Sequence, residues 1–271
     1  MFLPAANTLF QHSHVSYETW ITFIADEING LNFAQEVVST GLSKTTCFNM
    51  RHKLYNAISD YQDSVQLKGL IELDPTYEKI NLKGTKPGKS KSLRGINHHK
   101  ICIVTAIDSD DRILFKIAGL RGESKELLEP FSEHFMKESE VVIDSKSSLE
   151  SFNIDHGMIP DIIPGDKFKS PNGHTLSSVN QLHQSLSELI RVKHGVSTRH
   201  LQGYLDWLAF TKELHYKTEA KRQKIEAYMY VMKKIISVAT RNICKQPLPI
   251  DLEEVYVEYH YGVFSHDQLF A

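Results

Sequence analysis

Two apolar runs that each stop on a single aspartate constrain this chain most: Ile71-Glu72-Leu73-Asp74 and Val141-Val142-Ile143-Asp144. A third stretch, Ser178-Val179-Asn180, puts an amide at the start of a long amphipathic run. A carboxylate at the end of a buried strand costs free energy unless something pairs with it. Two such carboxylates side by side repel, and a divalent cation is the usual resolution. Acidic side chains that hold a metal pair support in-line phosphoryl transfer on nucleic acid. An Asp after an apolar run is also a common turn residue or helix cap, so the spacing alone leaves both readings open.

The patterning around these runs predicts an α/β protein. Residues 15–60 read as helical. Tyr17, Trp20, Ile21, Ile24 and Ile28 follow the i, i+3, i+4, i+7 pattern of a buried face, and Asn29-Gly30 ends that helix. A short helix over Asn32–Ser39 leads into a Thr40-Gly41-Leu42 turn. Ser43 then caps a third helix with Cys47, Met50, Leu54 and Ile58 inward. Lys44, Thr45, Thr46, Asn49, His52 and Lys53 form its other face. This is a helix-turn-helix pattern whose second helix could enter a major groove, with Lys44 and Lys53 on phosphates and Asn49 on a base edge. A plain packing hairpin is the alternative.

Strands are predicted at Leu70–Tyr77, Lys100–Ala106, Arg112–Ala118 and Glu140–Ile143. A helix falls at Ser124–Met136 and a short one at Ser147–Phe152. A fifth strand at Met158–Ile163 is weakened by Pro160 and Pro164. In Leu176–Val192, Leu176, Val179, Leu182, Leu186 and Leu189 face a core. Asn180, Gln184, Ser187 and Arg191 form the opposite stripe, which would turn Asn180 toward the aspartates and Arg191, with Lys193 just beyond, toward a DNA backbone. Helical patterns continue over Leu201–Leu214 and Lys217–Val238.

The net charge of −2 does not mark the whole chain as a nucleic-acid binder, so local charge carries that expectation. Lys83, Lys86, Lys89, Lys91, Arg94, His98, His99 and Lys100 fall in a stretch that contains no acid and is rich in Gly, Ser and Pro. Such a loop can displace counterions condensed on phosphates. The chain has no apolar run of the roughly 18 residues that spans a bilayer, and Met1-Phe2-Leu3-Pro4 has no basic leader region, so a cytoplasmic protein with no membrane partner is expected. Cys47, Cys102 and Cys244 form no metal motif and read as reduced thiols.

Gly69-Leu70-Ile71-Glu72-Leu73-Asp74-Pro75-Thr76-Tyr77 with Leu82-Lys83-Gly84, then Ile143-Asp144-Ser145-Lys146, then Leu176 to His183 with His194-Gly195-Val196-Ser197-Thr198-Arg199-His200-Leu201 and Tyr204-Leu205-Asp206-Trp207, resemble in order and spacing the catalytic stretches of bacterial insertion-sequence transposases of the DDE type, ISXO-like group. The resemblance implies a ribonuclease-H-like catalytic domain over 66–212, a mixed sheet flanked by helices. A small helix-turn-helix domain over 15–62 would precede it, with a residual segment at 1–14 and a helical tail at 213–271. It implies Asp74 and Asp144 as catalytic metal ligands, with Asn180 where most DDE enzymes carry Glu. It also implies two Mg²⁺ or Mn²⁺ ions, double-stranded DNA with terminal inverted repeats as partner, homo-oligomers on DNA, and a nucleoid-associated bacterial location.

Two departures from that pattern are Asn180, whose amide adds no negative charge, and Pro75, where the group commonly has an acidic residue. The group also usually begins with a zinc ribbon of paired CxxC motifs. None is present here, so no zinc is expected and His12 and His14 read as exposed histidines. A DNA-binding remnant without catalysis is the alternative function.

Overall fold

The computed structural model describes residues 8–11, 13–82, 100–120, 122–236, 238–243 and 245–251, the side chain of Lys221 excepted. Three helices come first: α1 (Tyr17–Ile28), α2 (Phe33–Thr40) and α3 (Lys44–Ala57). Each starts on a side-chain cap that satisfies one of the free amides of a first turn. Ser16 accepts from the Thr19 amide, Asn32 and Gln35 form a reciprocal capping box, and Ser43 accepts from the Thr46 amide. Gly41 closes α2 in the left-handed region, at φ 70°. The buried face of α1 is Trp20, Phe23 and Ile24, whereas Tyr17 and Ile21, expected inward, are exposed.

The strands are β1 (Leu70–Leu73), β2 (Thr76–Lys79), β3 (Lys100–Asp108), β4 (Ile113–Leu120), β5 (Glu140–Asp144) and β6 (Ile159–Ile163). They form one mixed sheet. β1 and β2 both lie antiparallel to the same edge of β3, which pairs antiparallel with β4 on its other edge. β1 pairs parallel with β5, and β5 parallel with β6. The single strand expected over Leu70–Tyr77 is thus two pieces, broken at Asp74-Pro75, where proline offers no amide to the ladder. Pro160 does not prevent β6: it sits opposite Val141 on a strand that, among the described residues, pairs with β5 alone.

Helices cover both faces. α4 (Lys125–Leu128), a 3₁₀ turn over Glu129–His134 and α5 (Ser147–Asp155) lie on one. The single helix expected over Ser124–Met136 is divided there, beside Pro130. Ile71, Leu73, Val104, Ala106, Val141 and Ile143 pack on that side with Leu149 and Phe152. α6 (Ser177–Val192) and α7 (Leu201–Lys217) cover the other, where Ile101, Ile103, Ile107 and Phe115 meet Val179, Leu182, Leu186 and Leu205. The same cluster takes in Trp20, Phe23, Cys47, Leu54 and Tyr55 from α1 and α3. α8 (Ala220–Met232) and α9 (Thr240–Ile243) complete the described chain, and among the described residues no helix is long and apolar enough to cross a membrane.

A buried ionic quartet joins the first three helices to the end of α6. The Arg51 guanidinium meets Glu27 at 2.5 Å and also contacts Glu36. The Lys193 ammonium lies 2.9 Å from Glu27 and 3.1 Å from Glu36 and donates to the Leu31 carbonyl. Burial raises the Glu27 pKa, but Arg51 and Lys193 outweigh it and hold the carboxyl at about 2. Lys193, expected to face DNA, is therefore an internal residue, 3% exposed, and its charge is spent on two carboxylates. His52 is likewise buried, its ring 4.0 Å from that of His200, and does not stand on an open polar face.

Two outcomes follow for stability. Lys193→Met leaves two buried carboxylates with one cation, and urea unfolding at pH 7 is expected to show a loss of about 3–5 kcal/mol. Burial, with His200 and Arg51 nearby, lowers the His52 pKa from 6.5 to about 3. The unfolded chain therefore takes up a proton that the folded chain refuses. Stability from this site is complete above about pH 6.5 and falls as pH drops toward 3, by up to about 1.4 kcal/mol per pH unit. His52→Phe should flatten that limb in unfolding experiments run across this range.

Candidate functional site

The parallel register ends with Glu72 opposite Val142, and Asp74 and Asp144 each follow two residues later on their own segment. Both aspartates lie at the C-terminal ends of adjacent strands and on the sheet face covered by α6. The Asp74 amide donates to the Thr105 carbonyl at 3.1 Å, which keeps the strand end in the ladder up to Pro75. The Asp144 carboxylate accepts from the Ser145 amide at 2.7 Å.

Lys146 reaches back into this pair. Its ammonium lies 3.7 Å from Asp74 Oδ1 and 3.2 Å from Glu123 Oε1, and the Glu123 side chain is only 10% exposed. Burial lifts the Asp74 carboxyl to about 6, with Asp144 and Glu123 adding to the rise and Lys146 opposing it. Burial lowers the Lys146 pKa, but Asp74 and Glu123 reverse that, so the amine stays cationic. Cys102, across the sheet from Tyr77, feels the same environment, and its thiol is pushed up to about 12, chiefly by burial.

Glu72 positions α6. Its carboxylate accepts from the Ser178 amide at 2.8 Å, the Ser178 hydroxyl at 2.8 Å and the Val179 amide at 3.0 Å. A strand side chain thus caps a 16-residue helix, where an anion also meets the positive end of the helix dipole. One turn on, His183 Nε2 lies 3.1 Å from the Asp74 carbonyl. Asn180 is exposed and lines an open groove of about 600 Å³ along α6 with His183, Gln184, Ser187, Glu188 and Arg191. Arg191 is exposed and paired with Glu188 at 2.6 Å. Glu123 carried no signal in the sequence, and Glu72, Lys146 and His183 stood there only as members of longer stretches. Their importance comes from the pairing of distant segments.

Of the expected DNA contacts, Lys44 is exposed, and Asn49 and Lys53 are half-buried on α3. Lys83, Lys86, Lys89, Lys91 and Arg94 lie outside the described residues, as do His12 and Cys244. Cys47 and Cys102 are buried free thiols.

A second polar group lies toward the other end of β5. Among the described residues it alone brings three His, Cys or carboxylate donors within 4.8 Å of one another: Glu140, Asp161 and His174. His174 Nδ1 is 3.0 Å from Asp161 and 3.7 Å from Glu140. Asn172 donates to Glu140 at 2.7 Å, and the Ser170 hydroxyl donates to Asp161. These bonds fasten the connection between β6 and α6 to the sheet.

No protein-family model matches the sequence, and no curated protein matches it. Among solved structures the chain is similar to the Mos1 mariner paired end complex with Mn, at 10% identity and a TM-score of 0.28, over 78% of this chain and 76% of that one. At that level of similarity the fold rests on the strand order, and the site on its own residues.

Removing the strand-borne cap tests the placement of α6. Glu72→Ala strips three donors of their acceptor and should cost about 1–2 kcal/mol in thermal or urea unfolding, and Glu72→Gln, which keeps an acceptor oxygen, should cost less.

Proposed function

We propose that this chain is a metal-dependent DNA strand transferase of the DDE type, acting on the ends of an insertion sequence. The observation that carries this is one pair of residues: two aspartates from distant segments each follow, by two residues, the last pair of a parallel ladder, beside the first turns of the helix that holds Asn180. The sheet supports a ribonuclease-H-like arrangement, because an antiparallel set of strands is followed by two parallel ones and helices cover both faces.

The donor set suits a hard divalent cation, Mg²⁺ or Mn²⁺: Asp74 and Asp144 offer carboxylate oxygens and Asn180 a neutral amide oxygen. Thr105 fits as well. It stands opposite Asp74 on the same sheet face, and its buried hydroxyl has no hydrogen-bond partner among the described residues. A water of a bound ion's hydration shell would supply one. The ion would activate water or a 3′-hydroxyl and stabilise the leaving 3′-oxygen. His183 holds the Asp74 backbone and so fixes where that strand end points. Lys44, Asn49 and Lys53 on α3, Arg191 on α6 and the lysines of 83–94 would carry the duplex, with homo-oligomers pairing two ends of inverted-repeat DNA.

A DNA-binding remnant without catalysis is the second reading, and a specific feature favours it: Asn180 and Pro75 withhold negative charge, and an ammonium already neutralises Asp74. One experiment separates the two. The chain is mixed with duplex DNA carrying element ends in Mg²⁺ or Mn²⁺, and nicking is read on a gel beside a binding assay. Nicking by the wild type that is lost in Asp144→Ala, with binding retained, is the expected result. Binding with no nicking in either protein selects the remnant. Nicking that survives the loss of Asp144 rejects the site.

A further inference from the structure

We propose that Glu123 supplies the third carboxylate of this metal site and that Lys146 is its resident cation, displaced when a divalent ion binds. The proposal rests on the metal reading above and adds two residues to it. Glu123 belongs to the connection between β4 and α4, far in sequence from Asp74, Asp144 and α6. Its backbone amide is 3.3 Å from the Tyr77 hydroxyl, and the following residue, Ser124, caps α4. The position of the side chain is therefore set from both ends.

Lys146 Nζ bridges the Glu123 and Asp74 carboxylates, at 3.2 and 3.7 Å. One ammonium within reach of both means that the two oxygens lie no further apart than those two distances laid end to end. Oxygens that share a hard cation sit about 2.0–2.6 Å from it, so a small inward movement of two side chains would close the set. That closure needs the ammonium gone, because it occupies the space between the two carboxylates.

Charge points the same way. Asn180 brings no negative charge to the site, whereas Glu123 does, so a third carboxylate is present without one on α6. With Lys146 withdrawn, three carboxylates face a divalent ion. With Lys146 in place, one of the three charges is cancelled. Lys146 follows Asp144 by two residues and its amide donates to the Asp144 carbonyl at 2.7 Å. Its long flexible stem can swing the ammonium outward without moving the strand. The side chain is 32% exposed, so it has a route to solvent. The unpartnered Thr105 hydroxyl beside Asp74 is an independent sign that this face is built for a further polar occupant.

The test is Mn²⁺ binding to the full chain, read by electron paramagnetic resonance and calorimetry at fixed pH, with circular dichroism as a folding control. Glu123→Gln, nearly isosteric, should weaken binding about tenfold or more, and Glu123→Asp should recover part of the loss. Lys146→Gln should tighten binding several-fold, because its competing charge is gone, and Asn180→Ala should change affinity less than Glu123→Gln does. Wild-type affinity in Glu123→Gln, or no gain in Lys146→Gln, overturns the proposal. If Asp74→Asn still abolishes binding in that case, the aspartate site stands without these two residues. No Mn²⁺ binding by the wild type or by Lys146→Gln rejects the metal reading itself and this proposal with it.

Discussion

One sheet face of this protein carries a row of carboxylates, and the rest of the structure depends on how they are satisfied. By register, Glu72, Asp74, Glu140, Asp144 and Asp161 all point to the side covered by α6. A buried or half-buried carboxylate without partners is costly. Each of these finds one: the amides at the start of α6 for Glu72, the Lys146 ammonium for Asp74, a backbone amide for Asp144, and a side-chain network with His174 for Glu140 and Asp161. Solving the electrostatics in this way also builds the architecture. Docking α6 onto Glu72 brings His183 to the Asp74 carbonyl and leaves Asn180 facing the groove.

The same principle governs the other end of α6. Glu27, Glu36, Arg51 and Lys193 are four buried ionisable groups that hold one another, with burial and the neighbouring Glu27 lifting the Glu36 carboxyl to about 7, and they link α1, α2 and α3 to the residue that follows α6. Arg51 also stacks on Phe33, its guanidinium 3.7 Å from the ring centre. The cost to α3 is surface. Arg51, His52 and Tyr55 are spent on internal contacts, so the part of α3 open to a partner is narrow and centres on Lys44 and Thr45.

Local patterns made most elements legible. Period-two and continuous apolar runs mark β3 and β5 because both faces of those strands are covered. Ser43 marks a helix start because a cap is a property of four consecutive residues. The failures have equally local causes. Tyr17 and Ile21 fit the periodicity of α1 yet face solvent, since Phe23 offers a better inward stripe with Trp20 and Ile24. Two prolines misled in opposite directions: Pro75 breaks a strand that was read as continuous, and Pro160 leaves a doubted strand intact because β6, among the described residues, pairs with β5 alone.

By itself the sequence determined that two apolar strand segments would carry Asp74 and Asp144 and that a strong amphipathic helix would begin near Asn180, since burial patterns are written in neighbouring residues. It could not decide which charges meet. Glu123 and Lys146 reach Asp74 only after β4, β1 and β5 have been brought together. Lys193 looked like a surface cation beside Arg191, yet it becomes an internal counter-ion because α1 and α2 carry Glu27 and Glu36 to it. Such pairings join positions far apart in the chain, and the energy of a buried charge depends on every group around it, so only the tertiary structure sets them.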